Sequence, residues 1–246
     1  MTRRIGQILL SGGLDSTTLA CLAKRECDSL GALTLDYGQR HRRELQAAAA
    51  VAAHLGLAHR SIDVSFYRDL AAHSALTARD NFALPSGRSV DDMARDIPIT
   101  YVPLRNTFFL TLAAAMLETR VLHAIETEGA APGDIEPALY IAANALDYSG
   151  YPDCRPEFYA AAAETLRLGS KIGTQYGLAM RIETPLIDKT KADIVRLATE
   201  LDAPLHLTWS CYADTPRPCG ECDSCLLRAK GFAEAGAEDP ALMGEP

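Results

Sequence analysis

Several things this chain lacks narrow what it can be. It has no excess of basic residues: 24 lysines and arginines face 32 acidic residues, a net charge of −8. Holding a long nucleic acid rests mainly on neutralising phosphates, so this balance disfavours a nucleic-acid partner. Long apolar runs are missing too. Ile8-Leu9-Leu10 stops at once in Ser-Gly-Gly, too short for the apolar region of a signal peptide. No stretch approaches bilayer-spanning length, and the expectation is a cytoplasmic protein with no membrane partner. There is no internal repeat, no long low-complexity tract and no even-numbered cysteine framework. The seven cysteines comprise four between Cys211 and Cys225, plus Cys21, Cys27 and Cys154. That odd, clustered set suggests a metal site and reduced thiols, not secreted disulfides. What remains is ordinary: 246 residues, 48% hydrophobic and 23% charged, enough to bury a core without crosslinks in one domain with a small appendage.

The first third alternates strand-like and helical patterns. Gln7–Leu10, Gly31–Leu35 and Arg60–Val64 read as strands. Asp15–Arg25 and Arg42–Leu55 have apolar residues at helical spacing. This order predicts a parallel sheet with helices on both faces, its ligand site beyond the carboxyl ends of the strands. Thr77–Thr100, with Pro85, Gly87 and Pro98, reads as a long loop or partial lid. Thr107–Glu126 is a helix, Gly129–Pro137 a linker and Ala138–Ala143 a fourth strand. Pro156–Gly169 is helical, Ile182–Ile187 a short strand and Lys191–Leu201 a last helix before the cysteines. The boundary between the main domain (1–203) and the C-terminal segment (204–246) falls after that helix.

Ser11-Gly12-Gly13-Leu14-Asp15-Ser16 stands between a strand and a helix. Glycines there let the backbone approach a ligand, and the free N–H groups of the helix N-terminus face an anion. Ser11, Ser16, Thr17 and Thr18 offer hydroxyls. Asp15 is either the helix N-cap or part of a magnesium site that offsets phosphate charge. The loop lacks the Gly-Lys-Ser/Thr ending of a Walker loop and the GxGxxG of dinucleotide folds. It resembles the PP-loop, SGGxDS, of the ATP pyrophosphatase superfamily. That resemblance implies adenylation of a carbonyl oxygen with release of pyrophosphate, and an ATP site over Leu10 to Thr18.

Cys211, Cys219, Cys222 and Cys225 form a C-x7-C-x2-C-x2-C pattern. Four thiolates suit a closed tetrahedral zinc site that stabilises the C-terminal segment. An iron–sulfur cluster is the competing reading.

Further strings are more specific. They are Asp36-Tyr37-Gly38-Gln39-Arg40-His41 with Glu44, Tyr101-Val102-Pro103-Leu104-Arg105-Asn106, and Asn144 through Phe158, which includes Asp147-Tyr148-Ser149-Gly150-Tyr151-Pro152-Asp153-Cys154-Arg155. Glu183-Thr184-Pro185-Leu186, Thr208-Trp209-Ser210-Cys211-Tyr212 and Cys219 through Arg228 complete the set. Together they resemble the 7-cyano-7-deazaguanine synthase (preQ0 synthase) family, in the expected order from Leu10 to about Phe232. Two departures stand out: a longer connection over Glu118–Leu139, and Ala142-Ala143-Asn144 where a glycine-containing segment is expected.

The resemblance implies a Rossmann-like α/β fold of the adenine nucleotide alpha hydrolase type, with a small C-terminal zinc-binding appendage. It implies ATP with Mg2+, 7-carboxy-7-deazaguanine and ammonia as reactants, and a homodimer. Ser11, Asp15, Ser16 and Arg105 are then the catalytic candidates. Arg40 and His41 would hold anions, and Asp147, Tyr148, Ser149, Gly150, Tyr151, Asp153 and Arg155 would recognise the base. Arg105 is expected in a loop facing the site. Cys154, Cys21 and Cys27 are read as buried small residues more than nucleophiles. Trp209 is read as packing. The rival readings are a related ligase that stops at the amide, a tRNA-modifying PP-loop enzyme, and a non-catalytic nucleotide-binding protein.

Overall fold

The computed structural model of the chain describes residues 2–39, 43–78, 81–85, 97–144, 151–213 and 215–242. Five strands build one sheet: β1 (Arg3–Leu9), β2 (Ser29–Asp36), β3 (Ala58–Asp63), β4 (Ile135–Tyr140) and β5 (Arg181–Glu183). Their order is β3-β2-β1-β4-β5, and every neighbouring pair is parallel. The chain reverses direction across the sheet between β1 and β4, and such a switch point leaves a crevice beyond the strand ends.

Alternation along the strands divides the core into two layers. Ile5, Leu33, Leu35, Ile135 and Leu139 join one cluster with Ala113, Leu117 and Val121 of α4 (Arg105–Glu126). Ile8, Ala32, Ala138 and Tyr140 join the other. That second layer is closed by α1 (Leu14–Glu26), α2 (Arg43–Leu55), α7 (Lys191–Glu200) and α8 (Asp223–Ala235). The other α-helices among the described residues are α3 (Tyr67–Leu70), α5 (Pro156–Gly169) and α6 (Lys171–Thr174). Helices on both faces of a parallel sheet are the architecture expected from the sequence.

Boundaries move where polar residues enter strands. β1 begins at Arg3 because Arg4 reaches Glu136 at 2.8 Å and Glu26 at 3.2 Å. β4 begins at Ile135, so the expected linker over 129–137 is largely a single turn, Pro132–Asp134, and the strand's own start. Pro137 is tolerated there because β4 pairs only with β1 at that point; β5 joins from Ala138 onward.

One expectation needs correction. Helix α4 has 22 residues and is long and apolar enough, by length and composition, to cross a membrane. Here it is a core helix. Leu110, Ala113, Leu117 and Val121 are buried, and Arg120 donates to Gly6 O at 2.5 Å and Ser29 Oγ at 2.6 Å. An arginine spent on strand carbonyls and hydroxyls anchors the helix to the sheet.

Candidate active site and metal centre

The loop after β1 and the segment after β4 meet at the switch point. Gly13 is the N-cap of α1 and makes no side-chain cap bond, so Asp15 is not the cap. Gly12 has φ +85, and a Cβ there would press on the backbone of Glu44 and Ala48, so only glycine lets α2 approach this closely. Ser11 and Ser16 close the loop on itself. Their hydroxyls lie 3.0 Å apart, Ser11 N donates to Ser16 Oγ at 3.2 Å, and Gly13 N donates to Ser11 Oγ at 3.3 Å.

The loop opens onto a cavity of about 280 Å³. Leu10, Ser11, Gly13, Leu14, Asp15 and Ser16 line it. Gly12, Thr17 and Thr18 do not. Thr17 and Thr18 are fully buried, and Thr18 Oγ1 donates back to Leu14 O at 2.9 Å, so these two hydroxyls are not available as phosphate donors.

Asp15 has an asymmetric environment. Its Oδ2 accepts from Asn144 Nδ2 at 2.8 Å and from Lys191 Nζ. Its Oδ1 is buried with no hydrogen-bond partner. A buried carboxylate oxygen left unmatched is unfavourable, and its chemistry fits a hard divalent cation such as Mg2+.

Arg105 also lines the cavity. It is the first residue of α4 and not a loop residue; Leu104 before it adopts φ 53, ψ 22, a left-handed turn that a non-glycine residue takes only under constraint. Burial works against the guanidinium's charge, but Tyr37, Asp153, Tyr151 and Cys154 around it raise its pKa overall, so it remains a cation throughout the working range. Tyr37 is pushed up by its own burial, with Arg105 pulling the other way.

Asp153 is buried and accepts from Asn106 N at 3.1 Å, while Asn106 Nδ2 donates to Asp153 O at 2.9 Å and to Cys154 Sγ at 3.2 Å. This lattice ties the start of α4 to the turn Pro152–Cys154. Asp153 therefore satisfies an orphan helix-start donor here and does not line the cavity, whereas Tyr151 and Cys154 do. Arg155 is exposed, precedes Pro156 at the start of α5 and does not line the cavity either. Asn106→Ala should cost about 1–3 kcal/mol by unpairing these buried groups; thermal or denaturant unfolding of the full chain measures it. The expected residues Arg40, His41, Asp147, Tyr148, Ser149 and Gly150 lie outside the described residues, as does much of 77–100.

The four cysteines converge. The sulfurs of Cys211, Cys219, Cys222 and Cys225 all lie within 4.8 Å of one another. Backbone N–H groups of Ala213 and Cys219 point at Cys211 Sγ, each at 3.3 Å, and Cys222 N points at Cys219 Sγ at 3.4 Å. Such donors stabilise thiolate charge, so the set can hold a tetrahedral metal ion. All seven cysteines are free thiols. The cluster is tied to the glycine loop: Trp209 N donates to Gly12 O at 2.9 Å, and Arg43 lies 5.0 Å over the Trp209 ring. Arg228 on α8 makes a two-point pair with Asp239 at 2.5 and 2.8 Å and donates to Ser210 Oγ at 3.0 Å.

Lys191 and Asn144 had no assigned role on sequence grounds. Lys191 looks like an ordinary first residue of a capped helix, and only folding brings it to Asp15.

Fold and site together define an α/β protein with a glycine loop at the switch point of a parallel sheet and a four-thiol cluster beside it that could hold a metal ion. Within that class, the sequence model of the family described as "Queuosine biosynthesis protein QueC" matches residues 7–236, and the chain belongs to this family. It is similar to the 7-cyano-7-deazaguanine synthase of Thermoplasma acidophilum, 45% identical over 98% of this chain and 92% of that protein. The protein of the same description from a Nostoc species is 47% identical over 95% and 94% of the two chains. The one from Picrophilus torridus is 46% identical over 97% and 90%.

Proposed function

We propose that this protein is an ATP-dependent synthase that converts 7-carboxy-7-deazaguanine and ammonia to 7-cyano-7-deazaguanine. The observation that carries the reading is the opening of the Ser11–Ser16 loop, with the unmatched Asp15 Oδ1, into a cavity also lined by Arg105. It occurs in a chain 45–47% identical to proteins described by that activity.

The substrate carboxylate attacks the α-phosphorus of ATP, and the bond to the β-phosphate oxygen breaks as pyrophosphate leaves with its electron pair. Ammonia attacks the acyl-adenylate, and AMP departs with one carboxylate oxygen to give the amide. The amide oxygen attacks a second ATP, and loss of the second AMP with two protons leaves the nitrile. One site serves both rounds because each activates an oxygen on the same carbon. Holding the carboxylate and phosphate in line supplies much of the rate. N–H groups at the start of α1, with Ser11 and Ser16, stabilise the charge that develops on pyrophosphate. Arg105, a half-buried fork at the start of α4, suits the substrate's carboxylate or a phosphate. Asp15 would hold Mg2+, which when bound offsets phosphate charge. Arg40 and His41 belong to the anion site, and Asp147 to Gly150 with Tyr151 to base recognition; Asp153 supports that segment through Asn106. The four cysteines would hold zinc, which when bound would stabilise the C-terminal segment. A homodimeric, cytoplasmic protein completes the reading.

The test is mass spectrometry of purified protein with Mg-ATP, ammonium and 7-carboxy-7-deazaguanine labelled with 18O in the carboxylate. The expected result is the nitrile with two labelled AMP molecules and two pyrophosphates per turnover. Accumulation of the amide with a single AMP would replace the synthase by an amide-forming ligase. No AMP from zinc-loaded protein would overturn the substrate assignment.

A further inference from the structure

Lys191 is built into the site from two sides. Its helix start is fixed by a capping box, Thr190 accepting from Asp193 N while Asp193 accepts from Thr190 N. Its stem lies against Gly231 of α8, where a Cβ would come within 2.7 Å of Lys191 Cβ. From that fixed base the ammonium crosses to Asp15 Oδ2, and both residues line the cavity with Ser11 and Ser16. The pair is only partly screened, with side-chain exposures of 22% and 16%.

A lysine ammonium is a compact point charge on a flexible stem. It satisfies only one oxygen of Asp15; the other is buried and unmatched. A polyphosphate entering the loop adds several negative charges within reach of the same ammonium. Asp15 then needs a different positive partner that can take Oδ1. We propose that Lys191 is a movable counter-ion for the reaction assigned above. It neutralises Asp15 before nucleotide enters, passes to the phosphates when Mg-ATP binds, and stays on the departing pyrophosphate as the bond to the α-phosphorus breaks. No proton changes hands; the ammonium stabilises the electron pair left on the leaving oxygen. The exchange couples nucleotide entry to cation binding, because neither Asp15 nor Lys191 is left without a partner at any stage.

This inference deepens the proposed reaction, and its test separates the two. Full-length, zinc-loaded K191M retains the aliphatic stem against Gly231, and K191R retains the charge. Mn2+ binding is read by electron paramagnetic resonance without nucleotide. K191M should bind Mn2+ at least about tenfold more tightly than the parent, within the usual range of coupling between sites. The gain should vanish in the double variant with Asp15→Asn and be absent in K191R. In single-turnover AMP formation, K191M should be slower by about 10²–10³-fold, the usual effect of losing one transition-state donor, with KM for the carboxylated base little changed. K191R should recover part of the loss. An unchanged Mn2+ affinity in K191M, a gain that survives Asp15→Asn, or AMP formation within about threefold of the parent would each overturn the role. The Mn2+ arm contains no deazaguanine, so it stays readable if the substrate assignment fails. Conversely, a flat Mn2+ result in a protein that makes the nitrile removes Lys191 alone.

Discussion

Asp15→Asn is expected to slow AMP formation from ATP and 7-carboxy-7-deazaguanine by about two to three orders of magnitude, the scale of one lost electrostatic contact in a transition state. Asparagine nearly reproduces the shape of aspartate, so the bond from Asn144 at 2.8 Å can persist through the side-chain oxygen. What disappears is the charge that balances Lys191 and the anionic oxygen buried beside the phosphate loop. Stability should fall by about 1–3 kcal/mol, because Lys191 keeps partial access to water while losing a charged partner. Quenched-flow measurement of AMP, with thermal unfolding run alongside, separates these effects. A variant within tenfold of the parent rate would take Asp15 out of the chemistry.

Removing the metal, by chelation or by Cys222→Ser, should lower Tm by about 10–20 °C. That figure takes roughly 5 kcal/mol of lost metal-linked folding energy at about 2–4 °C per kcal/mol for a chain of this size. Cys211, Cys222 and Cys225 are buried, and four thiols packed in one small cluster are a poor core without an ion to share their charge. A hydrogen bond from Cys225 pulls the Cys222 thiol down, while burial pushes Cys211 up. The damage should not stay local. Trp209 N holds Gly12 O at 2.9 Å, so nucleotide affinity should weaken in step with metal content. Calorimetric unfolding, metal analysis and nucleotide titration on the same samples check this. An unchanged Tm after complete metal loss would mean that the centre does not support the fold.

Short-range features were legible in the chain because they depend on neighbours a few residues away. The glycine loop after a buried strand, the cysteine spacing and the alternation of strands and helices are of this kind. Arg105 shows where such reading stops. Its neighbours Val102 and Pro103 suggest a loop, yet the lattice of Asn106 with Asp153 and Cys154 starts α4 at that residue. Thr17 and Thr18 look like further phosphate donors by sequence proximity, but the helix turns them into the core. The apolar length of α4 was not legible as a single run, and whether such a helix meets lipid or a sheet depends on what folds against it.

The sequence by itself determined the sheet's parallel character, the glycine loop between strand and helix and the clustering of four thiols, since local periodicity, glycine and short cysteine spacing specify these. Only the tertiary structure decided which groups face the loop. Lys191 lies 176 residues from Asp15 and Asn144 lies 129 away, and no local pattern encodes a meeting across such distances. Their convergence follows from the order β3-β2-β1-β4-β5, which sets the end of β4 beside the end of β1, and from the close approach of α8 to Lys191 at Gly231.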